Sequence, residues 1–251
     1  MDIVQSFYDN LASQYEKLFS SWHEAVKEQA VILDRLFKEN GYNEKSTVLD
    51  CACGIGTQAI GLADLGYNIT ASDISEGALT EARKRAENSG ANIDFVNADF
   101  RTLPKTFSKQ FDTIIAMDNA IVHMLTKDGL KAAIRSISDI LAEGGMFVAS
   151  IRDYDSLLES KPPYSAPYIH KTQNGQRVCF QTWDWNGGNY KLTQYIIEDD
   201  NSLKTSKFEC EYRAVRREEL SSMLISNGFC SAEWKFPEET GFYQPIVVAK
   251  K

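Results

Sequence analysis

The chain has 251 residues and carries 27 Lys and Arg against 35 Asp and Glu, which gives a formal net charge of −8 at pH 7. A chain of this length can bury a substantial core, and it forms either one large domain or a domain with an insertion. Because the chain is acidic and has no cluster of basic residues, nucleic acid and anionic membrane surfaces are disfavoured, and we expect a small-molecule partner. These numbers leave the oligomeric state open.

Five cysteines are spread along the chain without the spacing of a disulfide framework: Cys51, Cys53, Cys179, Cys210 and Cys230. An odd, sparse set predicts reduced thiols and a cytoplasmic protein. No second Cys or His pair accompanies Cys51 and Cys53, so we predict no metal site. The sequence also shows no basic region followed by an apolar stretch at its start and no apolar run of membrane-spanning length, so neither a signal peptide nor a membrane span is expected.

Two helices are predicted before the first strand. The apolar residues of 3–20 recur at helical spacing, and residues 22–39 repeat this pattern up to Gly41, a plausible helix cap. The strand that follows ends at Asp50, and a helical pattern resumes at Thr57. Between them lie two glycines with one residue in between, an arrangement typical of a tight turn that a ligand can approach closely.

This glycine turn permits more than one interpretation. Gly54 to Ala59 fits the dinucleotide fingerprint G-x-G-x-x-G/A, and a strand–turn–helix unit without any ligand is also possible. The acid at position 50 argues against the dinucleotide, because a carboxylate beside a pyrophosphate would repel it. A ligand that carries a positive charge explains Asp50 better.

Two further strands also end in acids. Residues 68–73 end at Asp73, which lies 73 − 50 = 23 positions after Asp50, and residues 93–96 lead to Asp99. At the tip of the next parallel strand, a carboxylate can accept hydrogen bonds from both hydroxyls of a ribose. Three acids that end three successive strands after a glycine turn are hard to explain by solubility alone.

The remaining strand–helix repeats complete the predicted fold. Strands at 111–117 and 146–151 flank a helix from Leu130 to Leu141, so five repeats predict an α/β fold with a doubly wound, mostly parallel sheet of seven strands. The C-terminal part contributes a helix at 217–226 and a closing antiparallel strand pair. Such a pair is not typical of the dinucleotide fold.

Residues 156–213 break this rhythm. Alternating aromatic and polar residues surround Asn186-Gly187-Gly188, which is a strong hairpin signal. We therefore predict an antiparallel β insertion that covers, as a lid, the crevice at the carboxyl ends of the parallel strands. The main domain would consist of residues 1–155 and 214–251.

The run D-x-A-C-G-x-G-T at residues 50–57 resembles motif I of class I S-adenosylmethionine-dependent methyltransferases. The resemblance implies a Rossmann-like methyltransferase fold and S-adenosyl-L-methionine as cofactor. It places Asp50 near the amino group of the methionine part, Asp73 at the ribose and Asp99 at the adenine. The resemblance implies the following cofactor-binding residues: Tyr15, Asp50, Ala52, Cys53, Gly54, Gly56, Asp73, Ile74, Asp99, Phe100, Met117, Asn119 and His123.

A second resemblance concerns the methyl acceptor. Asp118-Asn119-Ala120-x-x-His123 followed by Arg152-x-Tyr154-Asp155 is similar to the glycine and sarcosine N-methyltransferase group. It implies that Asn119 and Arg152 hold an amino-acid carboxylate and that Tyr154 lies nearby, so these three are the predicted catalytic residues. Asp153 stands where that group usually has Asn, and its negative charge would disfavour a carboxylate.

The residues alone leave alternatives for two of these positions. Arg152 could instead form an ion pair with Asp153 or Asp155, since charge pairs at strand ends are common. His123 could contact the cofactor or accept a proton, but a partly buried histidine that is hydrogen-bonded to the main chain is the simpler interpretation.

We therefore predict an S-adenosylmethionine-dependent methyltransferase that acts on the amine of a small molecule, glycine or sarcosine being the first candidates. A methyltransferase for an amino sugar or a natural-product hydroxyl is the alternative within this class. A nicotinamide-dependent oxidoreductase and a nucleoside-binding protein without catalysis are the alternatives outside it.

Overall fold

The computed structural model describes residues 3–251, so Met1 and Asp2, the first residues of the predicted domain, lie outside the described residues. Eleven strands are found in this part of the chain, and the first five alternate with helices. The strands are β1 (Thr47–Asp50), β2 (Asn68–Asp73), β3 (Asp94–Asn97), β4 (Phe111–Ala116), β5 (Leu141–Ser150), β6 (Tyr168–Lys171), β7 (Gly175–Asn186), β8 (Asn189–Asp200), β9 (Ser202–Arg213), β10 (Ser231–Lys235) and β11 (Ile246–Lys250).

Seven strands form one sheet in the order β10-β11-β5-β4-β1-β2-β3. The five strands from β5 to β3 are parallel, whereas β11 pairs antiparallel with both β5 and β10. The predicted doubly wound, mostly parallel sheet with a closing antiparallel pair is therefore confirmed. The carboxyl ends of β1, β2, β3 and β4 lie side by side, which brings their terminal residues to one edge of the sheet.

Eight α-helices lie in the described residues, and no helix there is both long enough and apolar enough to cross a bilayer. They are α1 (Ile3–Leu11), α2 (Trp22–Glu39), α3 (Thr57–Asp64), α4 (Glu76–Ser89), α5 (Lys127–Ile140), α6 (Tyr154–Ser160), α7 (Arg217–Ser226) and α8 (Pro237–Thr240). The residues of the central strands alternate between two core layers. Leu49 and Ile114 belong to the layer that contains α5, and Val48 and Ile115 belong to the layer that contains α2.

The single helix predicted for residues 3–20 is wrong. The chain leaves α1 after Leu11 and continues as a 3₁₀ helix over Ala12–Leu18. Tertiary contacts hold this segment on two different surfaces. Asp9 Oδ1 accepts hydrogen bonds from Ser75 Oγ and Gly77 N at the start of α4, and Lys17 pairs with Glu198 on β8 at 2.7 Å. These contacts accompany the change from α-helix to the tighter 3₁₀ helix after Leu11. The helical periodicity of the sequence gives no sign of them.

The strands β6 to β9 form a separate antiparallel sheet of four strands. Gly187 and Gly188 connect β7 and β8, whose register brings Asn186 opposite Asn189, so the predicted hairpin is confirmed. Gly187 has a φ of 62°, the left-handed value that such a two-residue turn requires. Residues 3–20, here called the N-terminal segment, lie between this sheet and the central one. Its helix α1 contacts both β9 and α4, and Cys179 Sγ donates to Lys17 O at 3.4 Å.

Candidate active site

The turn after β1 uses its two glycines for different purposes. Gly54 has a φ of 52°, and a Cβ built on it would meet nothing within 4 Å, so open space lies in front of its backbone. Gly56 has a φ of 89°, but its Cβ would meet Ile60 Cδ1 at 2.9 Å. Gly56 therefore allows the turn to pack on α3. The sequence interpretation that both glycines admit a ligand holds in geometry for Gly54 only.

A cavity, here called the turn cavity, opens between the glycine turn, the ends of β2 to β4 and the N-terminal segment. Its volume is about 70 Å³, and its empty space counted together with the open solvent at its mouth is about 750 Å³. Ten of the thirteen predicted cofactor residues line it, and these are Tyr15, Ala52, Cys53, Gly54, Asp73, Ile74, Asp99, Phe100, Met117 and His123. Asp50, Gly56 and Asn119 are not part of its wall.

Asp50 lies directly behind this wall and is 1% exposed. Its Oδ1 accepts a hydrogen bond from Ala52 N at 3.3 Å, while its Oδ2 has no hydrogen-bond partner within residues 3–251. Burial above all, together with the nearby carboxylates of Asp73 and Asp118, raises the pKa of the Asp50 carboxyl to about 8, although the hydrogen bond from Ala52 N acts in the opposite direction. A buried acid without a partner suits a ligand that brings a positive charge.

Asp73 closes the turn from the neighbouring strand. Its Oδ2 accepts from Gly54 N at 2.8 Å and its Oδ1 accepts from Ser75 N at 2.9 Å. Burial raises the pKa of the Asp73 carboxyl, although these backbone hydrogen bonds act in the opposite direction. The acid at this strand end thus holds the glycine turn in place before any ligand is present.

Asp99 differs from Asp50 and Asp73 because it has a cationic partner. The guanidinium of Arg101 donates to both of its carboxylate oxygens, at 2.9 and 2.8 Å from Nε. Arg101 also lines the turn cavity. A ligand that uses Asp99 would share this carboxylate with Arg101, which the spacing of the strand-end acids did not predict.

A second cavity, here called the lid cavity, lies between the N-terminal segment, α2, the insertion sheet and the loop before β11. Its volume is about 900 Å³, and its empty space counted together with the open solvent at its mouth is about 2440 Å³. Tyr8, Tyr15 and Asp118 line both cavities. The two cavities therefore meet at the end of β4, beneath the N-terminal segment.

Arg152 lies in the wall of the lid cavity among neutral groups. Its Nη1 donates to Tyr190 Oη at 2.8 Å and its Nη2 donates to Gln181 Oε1 at 3.0 Å, while the ring of Trp183 lies 5.1 Å from the guanidinium carbon. Within residues 3–251 it forms no ion pair, so the alternative of a salt bridge to Asp153 or Asp155 is wrong. Both of these acids pair with Arg217 instead.

Asn119 stands beside Arg152 with its side chain half satisfied. Its Oδ1 accepts from Arg152 N and from Tyr154 Oη, both at 3.0 Å. Its Nδ2 is buried and has no acceptor within residues 3–251. Asn119 lines the lid cavity and not the turn cavity. The free amide donor and the guanidinium could therefore serve one ligand group in the lid cavity.

Tyr154 is fully buried and lines neither cavity. Its hydroxyl donates to Asn119 Oδ1 and lies 2.9 Å from Tyr190 Oη, which in turn accepts from Arg152. The sequence placed Tyr154 near the acceptor as a catalytic residue. In the structure it lies behind Asn119 and Arg152, where it supports both.

His123 lines the turn cavity and is 5% exposed. Its Nε2 lies 2.9 Å from Tyr8 Oη, and its Nδ1 lies 3.6 Å from Cys210 Sγ. The sequence favoured a hydrogen bond from His123 to the main chain. The contacts described here are to side chains, and they connect the central sheet to α1 and β9.

Sequence reasoning gave no role to Asp118. This residue follows β4 with a φ of 55°, and Asn119 follows it with a φ of 70°. Two consecutive left-handed residues turn the chain sharply at the point where the cavities meet, and Asp and Asn are the non-glycine residues that tolerate this conformation best. An Asp-Asn pair directly after a buried strand was the available signal.

Residues 48–145 match the family described as a methyltransferase domain. Among relatives of known function, the chain is 26% identical to glycine/sarcosine N-methyltransferase from Parasynechococcus marenigrum over 62% of this chain and 54% of the relative. It is 29% identical to human glycine N-methyltransferase over 66% of this chain and 63% of that protein. The chain thus spans little more than half the length of the first relative.

Solved structures match over nearly the whole chain. The CcbJ methyltransferase from Streptomyces caelestis aligns with a TM-score of 0.80 at 18% identity and covers 99% of this chain and 98% of its own. An S-adenosylmethionine-dependent methyltransferase from Clostridium acetobutylicum aligns with a TM-score of 0.76 at 20% identity, over 97% and 98%. At these identities the likeness establishes the fold.

Proposed function

We propose that this chain, which carries a class I S-adenosylmethionine-dependent methyltransferase domain as its sequence predicts, transfers a methyl group from that cofactor to the nitrogen of a small amine. The observation that supports this proposal is the junction of the two cavities at Tyr8, Tyr15 and Asp118. A donor in the turn cavity and an acceptor in the lid cavity would face each other there. Such positioning can supply roughly 7–11 kcal/mol of the barrier.

We assign the turn cavity to S-adenosyl-L-methionine, whose sulfonium supplies an activated methyl group when it is bound. The partnerless Oδ2 of Asp50 fits its ammonium group, because a buried carboxylate favours a cation. Asp73 would accept from the ribose hydroxyls, since each of its oxygens has a lone pair left after bonding to the backbone. The other proposed contacts are Tyr15, Ala52, Cys53, Gly54, Ile74, Asp99, Phe100, Met117 and His123.

The acceptor that we propose carries a carboxylate next to its amine, and glycine and sarcosine are the simplest examples. Arg152 has only neutral hydrogen-bond partners in the described part of the chain, so an acceptor carboxylate would provide its counter-ion. Asn119 Nδ2 would donate to the same carboxylate. The negative charge of Asp153 does not oppose this, because Arg217 neutralises it.

A larger acceptor, such as an amino sugar, is the second candidate. The lid cavity has a volume of about 900 Å³, which is near the top of the range of about 300–1,000 Å³ for pockets that hold drug-sized ligands. A single amino acid would leave most of this space empty. With either acceptor, residues 156–213 would act as the lid of a domain formed by residues 1–155 and 214–251. The cytoplasmic location of the protein stays a prediction.

Thermal denaturation with and without ligands tests the class of the protein. S-adenosylhomocysteine at about 100 times its Kd should stabilise the fold by about 2.7 kcal/mol, and NAD should not stabilise it. Transfer of a labelled methyl group to glycine, sarcosine and glucosamine then tests catalysis. Stabilisation by NAD alone would favour the oxidoreductase, and stabilisation by S-adenosylhomocysteine without transfer to any acceptor would favour a binding protein.

Asp50 gives a prediction about protons. Because burial raises the pKa of its carboxyl to about 8, Asp50 is mostly protonated at about pH 7 in the ligand-free protein. An ammonium group bound beside it would favour the carboxylate. Binding of S-adenosylhomocysteine at about pH 7 should therefore release nearly one proton from Asp50. Calorimetry in buffers of different ionisation enthalpy measures this release, and Asp50→Asn should abolish it.

The raised pKa of Asp50 should also make the stability of the ligand-free protein depend on pH. The pKa of Asp50 is higher in the folded chain than in the unfolded chain, so its contribution to the free energy of unfolding is lost as the pH rises from about 4 to about 8. Asp50→Asn should flatten this slope. Equal proton release by the wild type and Asp50→Asn would remove Asp50 from the ammonium site.

A further inference from the structure

Among the described residues that line both cavities, Asp118 is the one that follows a strand of the central sheet. It follows β4, and the left-handed backbone at positions 118 and 119 turns the chain there. The turn sends the two side chains to different places. Asn119 lines the lid cavity only, whereas Asp118 lines the lid cavity and the turn cavity. Its carboxylate is thus placed where donor and acceptor would meet.

Neutral donors hold the carboxylate of Asp118 from two sides. Gln58 Nε2 donates to Oδ2 and Tyr243 Oη donates to Oδ1, both at 2.8 Å. Gln58 Nε2 also donates to Gln29 Oε1 at 2.6 Å, which fixes the orientation of this amide. Within residues 3–251 Asp118 forms no ion pair. Each oxygen keeps a lone pair that can accept a hydrogen bond from a ligand.

The charged groups around Asp118 are mostly acids. Asp50 faces it from β1, Asp73 lies at the end of β2, and Arg152 is the cation on the lid side. In the described part of the chain, Tyr15 and Tyr243 are further ionisable neighbours. Burial raises the pKa of the Tyr15 hydroxyl, and the pKa of the Tyr243 hydroxyl, which donates to Asp118, is also raised, so both are neutral near pH 7. A cation that enters the junction would therefore meet net negative charge.

We propose that Asp118 binds the ammonium group of the methyl acceptor and accepts the proton that its nitrogen must lose before methyl transfer. This inference rests on the proposed function and adds a catalytic residue to it. The acceptor would enter as a cation, with its carboxylate at Arg152 and its ammonium group at Asp118. An amine without a carboxylate could use Asp118 in the same way.

The step balances in atoms and charge. An N–H bond of the acceptor ammonium breaks, and its proton goes to an oxygen of Asp118. The nitrogen lone pair that results forms the new N–C bond while the C–S bond of the methyl donor breaks and its electron pair stays on sulfur. The methylated amine leaves as an ammonium ion, and Asp118 returns its proton to water when the products depart.

The environment of Asp118 favours this role over that of an exposed carboxylate. Burial raises the pKa of its carboxyl, against the effect of the hydrogen bonds from Gln58 and Tyr243. A higher pKa narrows the gap to that of an amine, and proton transfer becomes less unfavourable as the gap narrows.

Asp118→Asn tests the inference, with Asp112→Asn as the matched control. Asn keeps the side-chain shape and tolerates a left-handed backbone. Asp112 lies on β4, accepts from Thr47 N and lines neither cavity. Three quantities are measured: the Kd of S-adenosylhomocysteine, the Kd of the acceptor in its presence, and kcat across pH. The acceptor is whichever of glycine, sarcosine and glucosamine the wild type methylates fastest.

We expect Asp118→Asn to weaken acceptor binding about tenfold and to lower kcat about 100-fold at about pH 7. Its kcat should then rise about tenfold per pH unit, because only the neutral amine reacts. The change in S-adenosylhomocysteine binding should be smaller than the change in acceptor binding, although Asp118 also lines the turn cavity. A pH profile parallel to that of the wild type, or a loss confined to S-adenosylhomocysteine binding, would overturn the role of Asp118. A wild type that binds S-adenosylhomocysteine but methylates no acceptor would overturn the proposed function itself.

Tyr243→Phe provides a second test if Asp118→Asn does not fold. It removes the donor to Oδ1 and keeps the carboxylate, so the pKa of Asp118 should rise and the acidic limb of the kcat profile should move to higher pH. Tyr42→Phe is the control, because Tyr42 Oη donates to Gly144 O and the residue lines neither cavity. An unmoved acidic limb in Tyr243→Phe would contradict the proposal.

Discussion

Replacement of Arg152 by alanine is expected to lower kcat/KM for glycine or sarcosine by roughly 1,000-fold while leaving the affinity for S-adenosylhomocysteine unchanged. The guanidinium is held by Tyr190 and Gln181 in the wall of the lid cavity and has no acidic partner in the described part of the chain. An acceptor carboxylate would therefore be its only counter-ion. Its removal would leave that carboxylate in a buried site with Asn119 as the remaining donor.

Kinetics on a labelled methyl donor and calorimetry with S-adenosylhomocysteine check this expectation. Arg216→Ala is the matched control, because Arg216 is an exposed cation that lies 3.6 Å from Asp155 and lines neither cavity. The same pair of variants separates the two acceptor candidates. If glucosamine is the better substrate and Arg152→Ala methylates it as fast as the wild type does, the carboxylate-bearing acceptor is ruled out.

The architecture of this chain could be predicted because local signals agreed with one another. Strands that end in Asp50 and Asp73, and a third that leads to Asp99, recur at βα spacing, and Asn186-Gly187-Gly188 marks the hairpin between β7 and β8. Such patterns depend on neighbouring residues, so a single sequence contains them. The order of the strands then follows from the rules for parallel sheets and the resemblance of the glycine turn.

The site was harder to predict because its side chains find partners far away in the chain. Asp99 forms an ion pair with Arg101, and the spacing of the strand-end acids gives no sign of this pairing. His123 meets Tyr8 on α1, which precedes the first strand, and Cys210 on β9 of the four-stranded sheet. Tyr154 lies behind Asn119 because β5 and the insertion enclose it. Periodicity predicts that a residue is buried, but it does not predict which other element the residue faces.

Asp118 illustrates the same limit at the junction of the cavities. The sequence contains its Asp-Asn pair, but the contacts that give the carboxylate its environment come from Gln58 on α3 and Tyr243 near the C-terminus. These residues are 60 and 125 positions away. The role that we propose for Asp118 therefore required the structure, whereas the roles proposed for Asp50 and Asp73 follow from the strands that they end and from the resemblance of the glycine turn.

Asp73→Asn is expected to raise the Kd for S-adenosylhomocysteine by roughly 300-fold. Each charge-assisted hydrogen bond contributes about 1.5–3 kcal/mol, and the variant would weaken the proposed bonds to two ribose hydroxyls. It would also disturb the turn, because one oxygen is replaced by an amide group that faces the N–H of either Gly54 or Ser75. The amide group of Asn and a backbone N–H are both donors, so they cannot form a hydrogen bond with each other. The glycine turn should therefore lose one of the hydrogen bonds that hold its backbone in place.

The ligand and structural effects of Asp73→Asn can be separated. Asp34→Asn is the control, because Asp34 also accepts hydrogen bonds, from Tyr67 Oη and Lys38, but lines neither cavity. If Asp73 only anchors the turn, both variants should lower the melting temperature without ligand and bind S-adenosylhomocysteine alike once folded. If Asp73 also holds the ribose, the loss of affinity should be much smaller for a ligand analogue that lacks both hydroxyls, since wild type and Asp73→Asn would then differ by the turn alone.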